Sequence, residues 1–183
     1  MTGDKLGRHY TPDRCAEAIM RMLADRHGKP STVLDPCAGG GAFLRASRAV
    51  WPDVPTLGGD VDPDAQGAAF ATEWCTSDAR GWYPDRAPGV ASWVVTNPPF
   101  GPHVERGIAR AIAAHFYETR PAVLALLLPL DYIGREEWFP LVSVSARVDP
   151  VRPRPFDVIR ECVVVTWLGN YNAPKRGIRW SKK

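Results

Sequence analysis

The sequence predicts an α/β domain built on a mainly parallel sheet. Three observations carry the expectation. Short runs rich in Val and Leu alternate with helical stretches, the first run opens into a triple glycine, and residues 121–128 are apolar throughout. Alternating strand and helix is the pattern of repeated βαβ units. A fully apolar strand is one covered on both faces, as parallel strands are.

The elements follow in order. Thr11 is placed as the N-cap of a first helix and Pro12 at its first position. Cys15, Ala18, Ile19, Met22 and Leu23 then share a face, and Gly28 and Pro30 end the helix. Thr32-Val33-Leu34 is the first strand, running through Asp35-Pro36 into Gly39-Gly40-Gly41. A helix is expected over 42–50, a second strand over 56–61, a helix over 63–72 and a weak third strand over 73–76. Residues 91–96 read as a Val-rich fourth strand, 104–117 as a helix and 121–128 as the fifth strand. Residues 142–148 and 162–168 complete the sheet, joined through Pro150, Pro153 and Pro155 in an extended connection.

The 183 residues suit one domain, expected to span 1–183 with flexible ends at 1–7 and 174–183. No run approaches the roughly 20 apolar residues of a membrane span. The first residues lack the apolar core of a secretion signal, so a cytoplasmic protein is expected. Cys15, Cys37, Cys75 and Cys162 form no CxxC pair and the four histidines show no ligand spacing, which predicts reduced, mostly buried thiols and no metal site. The net charge of +3 comes from the last ten residues, which carry five Lys and Arg and no acid; the rest carries 18 basic against 20 acidic side chains. A basic tail can hold phosphates or be a solvated end.

Asp35-Pro36-Cys37-Ala38-Gly39-Gly40-Gly41 lies between a strand and a helix, where successive glycines let the main chain turn sharply and approach a ligand. In a doubly wound sheet this loop borders the ligand crevice. It is neither the GxGxxG dinucleotide fingerprint nor a phosphate-binding loop, so the ligand need not carry a pyrophosphate. Asp60, at the end of the second strand, can accept hydrogen bonds from a ribose diol, and Asp78, after the third, from an adenine amino group. One acid per successive strand end describes a nucleoside cofactor site without phosphates.

Asn97-Pro98-Pro99-Phe100 is the sharpest signal. The prolines fix torsions and remove amide donors, so the loop presents two acceptors, the Asn97 side-chain oxygen and the Pro98 carbonyl. Two acceptors at fixed spacing suit an NH2 group, and Phe100 offers a face to a planar base. Acceptors there free the nitrogen lone pair and stabilise positive charge developing on nitrogen, an inverted oxyanion hole.

These motifs resemble the amino-methyltransferases, especially the adenine-N6 DNA methyltransferases, over roughly residues 8–170. Tyr10-Thr11-Pro12 is similar to their N-terminal cofactor motif in the gamma-type order. Asp35 to Leu44, including Pro36, Cys37, Ala38, Gly39, Gly41 and Phe43, resembles the cofactor-binding motif. Gly59-Asp60-Val61-Asp62-Pro63 resembles the ribose motif, and Asp78-Ala79 stands at the adenine-contacting position. Asn97-Pro98-Pro99-Phe100 resembles the catalytic motif, with Asn97 also facing the cofactor. The resemblance implies a Rossmann-like class I methyltransferase: a seven-stranded, mostly parallel sheet with an antiparallel last strand, helices on both faces, and S-adenosylmethionine as cofactor.

The implied partner is a nucleic acid, DNA ahead of RNA, with no membrane. A target base in a duplex must be flipped out to reach such a site. Methylation of RNA, or of a protein glutamine amide, and an inactive methyltransferase-like partner subunit stay open as alternatives. Little chain lies beyond the catalytic core, so sequence specificity falls to the loops 80–89, 131–138 and 152–159 or to a protein partner, or is absent.

Overall fold

The computed structural model describes residues 9–82, 91–100, 104–133, 147–151 and 162–168. Helices α1 (Asp13–His27), α2 (Ala42–Val50), α3 (Ile108–Glu118) and the short α4 (Leu130–Ile133) surround a seven-stranded sheet. Its strands are β1 (Thr32–Asp35), β2 (Thr56–Asp60), β3 (Glu73–Thr76), β4 (Ser92–Thr96), β5 (Val123–Pro129), β6 (Arg147–Pro150) and β7 (Cys162–Leu168). The spatial order is β3-β2-β1-β4-β5-β7-β6. The strands from β3 to β5 pair in parallel, and β7 lies antiparallel to both β5 and β6. The reversed last strand matches the expectation.

The sheet is the middle of three layers, and strand alternation sorts its side chains between two cores. Trp93, Val95, Val123, Ala125 and Leu127 pack with the buried faces of α1 and α2. Their neighbours Leu34, Val94, Leu124, Leu126 and Leu128 pack with Ala109, Ile112, Ala113 and Phe116 of α3. All seven residues of β5 are buried, which is why 121–128 needs no polar residue. Each buried Val or Leu contributes about 1.5–3 kcal/mol. Cys15 and Cys162 are buried, Cys37 and Cys75 half-buried, and none is bonded to another. Among the described residues no helix is long and apolar enough to cross a membrane, and no cluster could hold a metal ion.

Several expectations need correction. Thr11 is not a cap: α1 begins at Asp13, its N-cap is Pro12, and no side chain caps it. The Pro12 carbonyl accepts from the amides of Cys15 and Ala16, while the Thr11 hydroxyl serves elsewhere. The buried face of α1 is Cys15, Ala16, Ile19, Met20 and Leu23, with Ala18 exposed and Met22 only partly covered. Periodicity alone does not fix which of two overlapping apolar stripes turns inward. The helix expected over 63–72 is a 3₁₀ segment, Gln66–Phe70. A tertiary contact intervenes, because the Gly67 amide donates to the Gly39 carbonyl at 2.8 Å. Finally, α3 starts at Ile108 after Gly107, whose φ is 84°, rather than at Val104. Pro150, expected in the extended connection, is instead the last residue of β6 and pairs with Val163; most of the strand expected over 142–148, Pro153, Pro155 and both chain ends lie outside the described residues.

Gly41 caps α2 in the left-handed region at φ 78°. A Cβ there would stand 2.8 Å from Phe70 Cδ2 and 2.9 Å from the Gly67 main chain. Gly41→Ala should therefore lower stability by about 1–3 kcal/mol, read as a lower urea midpoint at unchanged m-value.

Candidate active site

The strand order reverses between β1 and β4, which places the crevice of a doubly wound sheet at their carboxyl ends. A cavity of ≈ 350 Å³ lies there, within the roughly 300–1,000 Å³ of small-molecule sites. It is lined by Tyr10, Thr11, Asp35, Pro36, Cys37, Ala38, Gly39, Phe43, Asp60, Val61, Asp78, Ala79 and Asn97 to Phe100. Of the residues singled out from sequence, only Pro12 and Gly41 are absent from the wall. They act behind it, at the starts of α1 and α2.

The glycine loop is held by main-chain bonds. The Ala38 amide donates to the Gly59 carbonyl and the Gly41 amide to the Ala38 carbonyl. Asp60 accepts from the Gly39 amide at 2.8 Å and from the Asp62 amide at 2.9 Å. Each carboxylate oxygen keeps a second lone pair, so Asp60 both shapes the loop and offers acceptors to the cavity. The Tyr10 ring lies over the loop, and a Cβ on Gly39 would come within 2.9 Å of it.

Asp35 is 1% exposed. It accepts from Thr96 Oγ1 at 2.7 Å and from the Cys37 amide at 3.2 Å. Burial pushes its carboxyl up to about 7, although both hydrogen bonds work in the opposite direction. The Thr96–Asp35 bond ties the end of β4 to the end of β1, and so the Asn97 loop to the glycine loop.

The Asn97 side chain is clamped. Its Nδ2 donates to the His9 carbonyl at 2.7 Å and to Thr11 Oγ1 at 3.1 Å. A carbonyl only accepts, so the nitrogen must face His9 and the oxygen must point away. That Oδ1 is buried without a hydrogen-bond partner. Phe100 is stacked on the His9 imidazole, with centroids 4.7 Å apart and planes 8° from parallel.

Asp78 is more engaged than its sequence position suggests. It accepts from the Arg80 amide at 2.9 Å and from the Arg80 guanidinium through both oxygens, and this pairing holds its carboxyl below the usual range. Arg80 also bridges to Glu105 at 2.8 Å. A base amino group at Asp78 therefore competes with a guanidinium.

Sequence reasoning missed several wall residues: His9, Arg45, Arg80, Glu105 and the α3 side chains Ile108 and Ile112. None carries a local motif. Arg45, one turn into α2, reaches back to the Gly40 carbonyl and Asp13 and lies over the Phe70 ring. Of the three segments assigned to sequence specificity, most of 80–89 and 131–138 and all of 152–159 lie outside the described residues.

The same architecture occurs in solved methyltransferase structures. A Pyrococcus horikoshii protein assigned to RNA methylation superposes with a TM-score of 0.70 at 15% identity, covering 92% of this chain and 88% of that one. The methyltransferase subunit of a type I restriction-modification system from Streptococcus thermophilus gives 0.67 at 16%, covering 93% of this chain and 47% of that one. The fold is the class I methyltransferase fold. A human methyltransferase catalytic domain in complex with an RNA hairpin shares it at TM-score 0.63 and 10% identity, over 91% of this chain and 73% of that domain. No family model matches the chain. In sequence it is 35% identical over 83 residues to the type II methyltransferase M.XamI of Xanthomonas campestris pv. amaranthicola. That match takes in 45% of this chain, and it spans only 15% of the relative's length.

Asp35 makes stability depend on pH. Its ordinary value is 3.8 and its folded value about 7, so between these the native state keeps a proton that the unfolded chain releases. The contribution is complete below about pH 4 and is lost as pH rises through about 7. The urea midpoint of wild type minus that of Asp35→Asn should fall across this window; a flat difference contradicts it.

Proposed function

We propose that the chain is an S-adenosylmethionine-dependent methyltransferase acting on an exocyclic amino nitrogen, N6 of adenine in DNA. One observation carries this reading: the buried Asn97 Oδ1, without a partner, on a side chain whose other end is pinned twice. Leaving a buried acceptor unpaired costs about 1–3 kcal/mol. Such an atom on a residue of the cavity wall awaits a donor, and an amino group supplies one.

The cavity suits the cofactor by its charges. Asp60, Asp62, Asp78 and Glu105 line it against Arg45 and Arg80, and both arginines are committed to carboxylates. A wall rich in acids with its cations spent favours a positively charged ligand and disfavours a pyrophosphate. Bound S-adenosylmethionine supplies an activated methyl group on a cationic sulfur. Tyr10, Thr11, the loop from Asp35 to Gly39, Phe43, Asp60, Val61, Asp78 and Ala79 are the residues that would hold it, with Pro12 and Gly41 supporting them from the helix starts.

The protein's own part follows from the loop. Asn97 Oδ1 accepts one amino proton and the Pro98 carbonyl the other, which draws the nitrogen lone pair out of conjugation with the ring. The same oxygens stabilise positive charge on that nitrogen. His9 and Thr11 hold the Asn97 amide in place, so no reorganisation is required when charge develops. The methylated nitrogen sheds its proton readily, and no strong base is required beside it. The matched segment of a type II methyltransferase and the basic tail support DNA as substrate. In this reading sequence context is supplied by the three loop segments or by a protein partner.

The test is to incubate the protein with labelled donor, DNA, RNA and protein, and to digest whichever pool takes the label. N6-methyladenine from DNA is expected; label in RNA or on glutamine would reassign the substrate. Asn97→Ala should lower turnover by at least about 10²-fold, the loss seen when one preorganised charge-stabilising contact is removed, with cofactor binding still measurable by calorimetry. Absence of heat on titrating wild type with S-adenosylmethionine would favour an inactive partner subunit.

A further inference from the structure

The proposed reaction needs a flat face for the target base, and the aromatic side chain of the catalytic loop is Phe100. In the structure that face is taken. The His9 imidazole lies on it in a near-parallel stack, Tyr132 meets the same ring edge-on at 6.1 Å, and Phe100 is 5% exposed. A base between His9 and Phe100 would need the rings roughly 7 Å apart, twice the contact distance of carbon atoms, where the centroids stand at 4.7 Å.

His9 is joined to the catalytic loop by two different parts. Its main-chain carbonyl accepts from Asn97 Nδ2 and its ring covers Phe100. The carbonyl belongs to the backbone, whereas the ring turns about χ1 between staggered wells. The imidazole can therefore swing away while Asn97 stays pinned.

We propose that the His9 imidazole occupies the Phe100 face in the free protein and is displaced from it by a flat aromatic substrate. This rests on the amino-group reading above and narrows it. Displacement gives up the aromatic contact between His9 and Phe100. A purine base restores a larger contact on the same ring, and an aliphatic amide such as a glutamine side chain restores none. The seat on Phe100 favours a nucleobase over an amide by the strength of one aromatic pair, and the His9 stack lowers the affinity of whatever takes that seat by a similar factor, between about two- and tenfold. It also favours bases already extrahelical, since these arrive with an open face.

The experiment compares wild type, His9→Ala and His9→Phe. Binding of a single strand carrying 2-aminopurine is followed by fluorescence with S-adenosylhomocysteine present, and methylation of an adenine-containing strand and of a glutamine-containing peptide is measured alongside. His9→Ala keeps the carbonyl that holds Asn97, and thermal melts establish that both variants are folded. The expected result is a Kd for the strand about two- to tenfold lower in His9→Ala and a preference for adenine over glutamine at least as large as in wild type, with His9→Phe binding no tighter than wild type. An unchanged or higher Kd in His9→Ala overturns the proposal, the ring then being a bystander or part of the seat of the base. If wild type methylates DNA while His9→Ala binds unchanged, only the role of His9 falls. If wild type neither binds nor methylates any strand, the nucleic-acid reading falls with it.

Discussion

The buried hydrogen bond from Thr96 Oγ1 to Asp35 Oδ1 is the junction on which the site depends. It spans 61 positions of sequence and joins the carboxyl ends of the two central strands where the sheet order turns. On one side Asp35 also takes the Cys37 amide and so begins the glycine loop. On the other side Thr96 is followed at once by Asn97. A carboxyl taken so far out of water holds its proton more tightly, a local cost offset by the surrounding cores. Parallel pairing of β1 with β4 brings the two groups near each other, since Leu34 stands opposite Val94 and Thr96 lies two residues further along β4, within reach of Asp35 at the end of β1.

A second bridge is laid across this junction by His9, Tyr10 and Thr11. His9 and Thr11 hold the Asn97 amide, and Tyr10 between them covers Gly39. One tripeptide thus touches both loops, and the Asn97 oxygen is left facing away from every bond its nitrogen makes. Preorganisation of this kind needs no movement at the moment of reaction.

Charge completes the site. Acids gather at the ends of β1, β2 and β3 because each strand end delivers its next side chain to the same edge of the sheet. The arginines that share the wall are neutralised in place, Arg45 by Asp13 and Arg80 by Asp78 and Glu105. These pairs are partly exposed and add little to stability. Their consequence is for ligand choice, since no committed guanidinium is free to hold a phosphate.

Much of this was legible in the sequence. The alternation of β1, β2, β4 and β5 with helices follows from runs such as 121–128, whose unbroken apolar character requires cover on both faces. The glycine loop, Asp60 and the Asn97 loop carry their chemistry in local spelling, because tight turns, strand-end acids and paired prolines act over a few residues. What the sequence left undecided depends on partners far away in the chain. Thr11 reads as a cap until the fold brings Asn97 to its hydroxyl. Residues 63–72 read as a helix until Gly67 must reach the Gly39 carbonyl. Asp78 reads as free until Arg80, which also bonds Glu105 25 positions away, folds onto it, and nothing near His9 marks its ring as the cover of Phe100. The sequence by itself determined the elements, the sheet class and the residue types of the site, because these arise from periodicity and backbone chemistry. Only the tertiary structure decided which acceptors are spent and which one is left over, because hydrogen-bond satisfaction is settled by groups that meet across the sheet edge.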